Sequence, residues 1–112
     1  MFAAWEILNN LIPDTHSVKK ALVTLSIEEA LLQIGGSKLL NEALRILYET
    51  HHCYLTDCYE HPEYLKIIFN ELDRGECSVI IESINEKLEE FSYYKPIEKF
   101  LVSINKIKNK LV

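Results

Sequence analysis

Apolar residues recur every three or four positions along most of this chain, and no strict alternation runs beyond a few residues. A period near 3.6 sets one helix face against a core, so an all-α, compact helical bundle of about five to six helices is predicted. The first helix is expected over about 3–12, with Trp5, Leu8 and Ile12 on one face before Pro13-Asp14 breaks it. From Ser17 the residues Val18, Ala21, Leu22 and Leu25 align. At Ser26 the pattern admits two readings. A new helix can begin there, since Ser26 and Glu29 have capping-box spacing and Ile27, Ala30, Leu31 and Ile34 form the next stripe. A stripe of Val23, Ile27, Ala30 and Ile34 instead keeps 17–34 as one helix.

Gly35-Gly36 is expected to end that segment, Gly35 as a left-handed C-cap, with Ser37 capping the helix that runs to about Thr50. Leu39, Leu40, Ala43, Leu44, Ile46 and Leu47 cover more than one face, as in a central helix packed on both sides. Residues 51–60 are irregular and read as a loop with a short turn. His61-Pro62-Glu63 restarts a helix with Leu65, Ile68, Phe69 and Leu72 inward, because Pro suits the first helical position. Asp73-Arg74-Gly75 reads as a turn, and from Glu76 the residues Cys77, Ile80, Ile81, Ile84, Leu88 and Phe91 make the most regular stripe in the chain. After Pro96, the positions Ile97, Phe100, Leu101, Ile104, Ile107 and Leu111 have the steps of a coiled-coil seam.

The chain has 112 residues, 48% hydrophobic and 26% charged, which suits a single domain over 1–112 that buries about two thirds of its unfolded surface. Uncharged runs such as 21–27 fall far short of the ~20 residues a bilayer needs, so no membrane role is expected. The N-terminal Met-Phe-Ala-Ala-Trp has no basic stretch and meets Glu6 at once, and Cys53, Cys58 and Cys77 are odd in number. Reduced thiols and a cytoplasmic location follow as expectations. The net charge of -5 argues against nucleic acid, whose phosphates need a basic surface. That charge is uneven: five Lys and one Glu from Lys95 onward give +4, leaving -9 on the remainder. Opposite patches on one small domain favour docking of one copy on another.

Candidate chemistry concentrates in His51, His52, Cys53, Cys58 and His61, whose soft atoms could supply four zinc ligands. Against a zinc site, adjacent side chains diverge on a regular backbone and no Cys-x2-Cys pair is present; buried structural thiols are the plainer reading. Gly35-Gly36-Ser37-Lys38 has the end of a phosphate loop but neither its first Gly nor its strand, and reads as a turn. Cys77 lies on an apolar stripe where a thiol ionises poorly, so a nucleophilic pair with His51, His52 or His61 is not expected. His16, near a helix start, reads as solvated. The carboxylates of Glu28, Glu29, Glu82, Glu86, Glu89 and Glu90 fall on polar faces and read as solvating. Tyr54, Tyr59, Tyr64, Tyr93 and Tyr94 have mainly acidic neighbours, so they suit a core edge or an interface better than base stacking.

The stretch 27–91 resembles an archaeal family, the Nitrosopumilus output domain. The resemblance rests on Ile27-Glu28-Glu29-Ala30-Leu31-Leu32 with Gly35, on Ala43-Leu44-Arg45-Ile46-Leu47-Tyr48, on His61-Pro62-Glu63-Tyr64-Leu65, and on Leu72 with Gly75-Glu76 and Ile80-Ile81-Glu82-Ser83-Ile84. It implies an all-α output domain of signalling proteins with no established activity and no catalytic residues. The residues themselves point to a non-enzymatic protein-interaction domain without cofactor. A homodimer is expected through the basic amphipathic helix of 92–112, with Tyr93, Tyr94, Ile97, Phe100, Ile104, Ile107 and Leu111 at the interface. The alternative is a metal-binding regulator using the His51–His61 loop.

Overall fold

A computed structural model describes residues 15–110, which are helical with no strand among them. Four α-helices are present in this range: α1 (Thr15–His51), α2 (Leu65–Phe69), α3 (Arg74–Leu88) and α4 (Lys95–Lys110), with 3₁₀ turns at Leu55–Tyr59, Pro62–Tyr64 and Glu89–Phe91. The all-α expectation holds, but the count of five to six helices does not. The helix expected over 3–12 lies outside the described residues.

The difference in count comes from the first half of the chain. No break occurs at Ser26, whose hydroxyl donates to the Val23 carbonyl at 2.7 Å within a continuous helix. Of the two readings at that point, the unbroken stripe is the inward one, since Val23, Ile27 and Ala30 are buried and Ile34 packs against the core. At the glycine pair α1 bends without ending. Gly36, and not Gly35, has the positive φ (68°, with ψ -165°), a backbone region essentially restricted to glycine. Gly35 is needed for a different reason: a Cβ there would lie 2.4 Å from Leu39 Cβ. The first arm (15–35) and second arm (37–51) thus form one angled helix that wraps α3 and the Leu55–Tyr59 turn.

The C-terminus of α1 closes in a left-handed (αL) cap at His52. The Cys53 amide donates to Leu47 O at 3.4 Å and the His52 amide to Tyr48 O at 2.9 Å, with His52 in the left-handed region (φ 51°) where glycine is usual. Cys53 and Leu47 are both buried beneath this cap. Helix α3 begins at Arg74, two residues earlier than its apolar stripe suggested, because Asp73 acts as N-cap and accepts the Glu76 amide at 2.9 Å. That backbone bond holds the Asp73 carboxyl below its ordinary range, while the side-chain hydrogen bond to Asp73 raises Glu76.

The core is one cluster. Cys77, Ile80, Ile81, Ile84 and Leu88 of α3 form its spine, met by Leu65, Ile68 and Phe69 of α2 and by Ala43 and Leu47 of the second arm of α1. In that arm Leu39 and Leu40 are half-buried and Leu44 is exposed, so it has one broad inward face rather than neighbours on both sides. Helix α4 lies along α3, and two polar links set their register. Asn85 and Asn105 exchange amide hydrogen bonds at 2.9 and 3.0 Å, and Lys108 Nζ lies 2.8 Å from Glu82 Oε1.

Candidate interaction surfaces

The expected C-terminal interface is occupied by the chain itself. Ile97, Phe100, Ile104 and Ile107 are buried against the domain's own core, because α4 turns its seam onto α3. These four residues are therefore corrected from interface to core, and Leu111 lies outside the described residues. Tyr93 is 72% exposed and its ring sits 4.3 Å from that of half-buried Tyr94. Lys19 Nζ stands 4.7 Å over the Tyr94 ring, which ties the start of α1 to the approach to α4.

The His51–His61 segment brings its cysteines and histidines to different places. Cys53 and Cys58 are buried, and burial raises both thiols, that of Cys58 to about 12. Cys53 Sγ faces Leu47 O at 3.7 Å. The histidines are exposed, each ring against a tyrosine: His52 on Tyr48, and His51 and His61 on Tyr64. His61 Nδ1 also meets Glu63 Oε1 at 3.1 Å. Glu63 lies below the usual carboxylate range, first through a backbone hydrogen bond and next through His61. Among the described residues no group of three His, Cys, Asp or Glu side chains converges as metal ligands. Cys77 is buried with its Sγ 3.3 Å from Phe69 O, and burial raises its thiol too. The Gly35–Lys38 segment borders a recess that also includes Glu42 and Glu76, whose charge opposes a phosphate.

Two surfaces hold features the stripes did not announce as functional. Of the residues Val18, Ala21, Leu22 and Leu25, aligned in sequence, Leu22 packs partly against the core, while Val18, Ala21 and Leu25 lie on the outer face of α1. Val18 is 42% and Leu25 51% exposed, and with Ser17 these residues border an apolar recess of about 350 Å³. Leu32, seven positions beyond Leu25, is 43% exposed on the same side. The first arm is thus apolar on two sides, and periodicity alone ranks neither above the other.

The second surface is the flank of α4. Lys95, Lys99, Lys106 and Lys110 are exposed, and their spacing of four, seven and four residues puts them in one line. They border two recesses, of about 380 and 170 Å³, against Pro62 and the following turn. The opposite flank of α4 has the opposite sign: Glu98 joins Glu86 and Glu89 around Leu101 and Val102. Lysine count and spacing signalled a basic helix, but which flank stays open depends on how α4 rolls onto α3. Comparison with family models, with curated proteins and with solved structures returns no match to this chain.

Proposed function

We propose that this chain is a non-enzymatic protein-interaction domain that pairs with a second copy of itself through the outer face of α1. The observation that carries the reading is the line Val18, Leu25 and Leu32, three half-exposed apolar side chains seven residues apart on the side of α1 away from the core. Seven-residue spacing is that of a coiled-coil seam. Because Leu25 stands midway, an antiparallel copy sets Val18 of each chain opposite Leu32 of the other and Leu25 opposite its own equivalent. A twofold interface demands this self-complementarity. Ala21 adds apolar surface between them. The resemblance of 27–91 to the output-domain family is the basis for assigning such a pair a signalling role.

Sedimentation equilibrium tests the proposal over about 1–200 μM, the range in which weak dimers exchange with monomers. The parent chain is expected to show a concentration-dependent dimer. Leu25→Glu is expected to give a monomer with unchanged helical circular dichroism, because a half-exposed position tolerates the charge at a cost of about 0.5 kcal/mol. A parent chain that stays monomeric throughout the range refutes the reading.

A further inference from the structure

We infer that the lysine-bordered groove between α4 and the Pro62–Tyr64 turn is a docking site for an acidic amphipathic helix of a partner protein. It is a different surface from the α1 seam and stands without it.

The two recesses on this flank share Pro62 and Ser103, so they form one groove. Lys95, Lys99, Lys106 and Lys110 make one wall, Lys66 stands on the other, and Glu63 is the acidic residue of the lining, which leaves the groove at +4 on a chain of net charge -5. Low-dielectric walls of one sign concentrate the field and select a partner of opposite sign. The lysine line runs over 16 residues of helix, whose 15 steps span about 22 Å at 1.5 Å each, which matches about four turns of a facing helix. Carboxylates four, seven and four residues apart on that helix would meet the lysines in turn. Between the lysines the lining includes Pro62 and Pro96, whose rings offer an apolar side chain a place to rest. A charged rim over a partly apolar floor is the pattern of helix-in-groove recognition.

The same features disfavour other polyanions. Tyr59 and Phe100 belong to this groove but are 7% and 1% exposed, so neither offers a ring face for a base to stack on. The large exposed apolar residues, such as Val18 and Leu25 on α1, Val79 on α3 and Val102 on the opposite flank of α4, lie outside this groove, whose lining has no such side chain to insert into a lipid surface.

The test uses the full chain and a fluorescein-labelled synthetic helix with four Glu at the lysine spacing and one central Leu, beside the same peptide with Gln for Glu. By fluorescence anisotropy the Glu peptide is expected to bind at low salt, at least about tenfold tighter than the Gln peptide, and to weaken as salt shortens the Debye length. Lys99→Glu with Lys106→Glu should abolish binding, Lys99→Gln with Lys106→Gln should weaken it, and Leu25→Glu should leave it unchanged. If the Glu-bearing lysine variant fails to fold, the Gln variant decides. Equal binding of the two peptides overturns the inference. So does tighter binding of single-stranded DNA or of phosphatidylserine vesicles than of the Glu peptide, or undiminished binding by the Gln variant.

Discussion

Truncating Ile104 separates a C-terminal helix that belongs to its own core from one that pairs two chains. Ile104 is fully buried on α4, beside Phe100 and Ile107 and facing α3. Ile104→Ala removes three carbons, about 2.4 kcal/mol at about 0.8 per buried carbon, and the cavity left behind brings the cost to about 2–5 kcal/mol. A chain of 112 residues has an unfolding entropy of about 235 cal/mol/K at 2.1 per residue, so each kcal/mol lowers Tm by about 4 °C. The variant is therefore expected to melt about 10–20 °C below the parent by circular dichroism, with no change of association state before the transition. Ile104→Glu adds an unpaired buried carboxylate, worth several kcal/mol more against a total of about 5–15, and should be unfolded at room temperature. The contrast with Leu25→Glu, half-exposed on α1, is the control. A folded Ile104→Glu monomer, or an Ile104→Ala variant that melts with the parent, refutes the placement of α4 in the core.

Gly36→Ala forces a side chain into a backbone region that costs of order 1–3 kcal/mol, so Tm should drop by about 4–13 °C; an unchanged Tm contradicts the bend at this residue. His52→Gly removes the steric penalty of the left-handed cap and should raise stability by up to about 1 kcal/mol, read as a higher urea midpoint, less whatever the His52–Tyr48 ring contact contributes. Cys58 should resist iodoacetamide at pH 8 until denaturant is added; fast labelling of the native chain rules out its burial. Its thiol is raised to about 12 from 9.0, so the folded state favours the neutral form. This contribution to stability is intact below about pH 9, declines as the unfolded thiol ionises, and is lost by about pH 12, which urea melts at rising pH can follow for the parent against Cys58→Ala.

The local code of this chain was readable where one physical cause acts alone. The stripe Cys77, Ile80, Ile81, Ile84 and Leu88 is uninterrupted and buries as its period requires, and Pro62 opens a helical turn because its ring suits that position. The paired glycines marked a change of direction but not its form. Bending without ending depends on Gly36 taking the positive φ while Leu39 closes over Gly35, a contact between successive turns that no propensity contains. Likewise, His51-His52-Cys53 resembles a ligand cluster in one dimension. Folded, His52 becomes a helix cap, the cysteines turn inward and the histidine rings rest on tyrosines.

Choice among competing faces belonged to the tertiary structure alone. The first arm of α1 has apolar residues on two sides, and burial of Val23, Ile27 and Ala30 leaves Val18 and Leu25 to solvent. Helix α4 has an apolar seam fit equally for a second chain or for α3. The seam falls on α3, and the Asn85–Asn105 exchange and the Lys108–Glu82 pair fix the roll that turns Lys95, Lys99, Lys106 and Lys110 outward together. Hydrophobic periodicity states that a face must be covered. Which surface covers it is settled by shape and polar pairing between segments distant in sequence, and those the folded chain alone brings together.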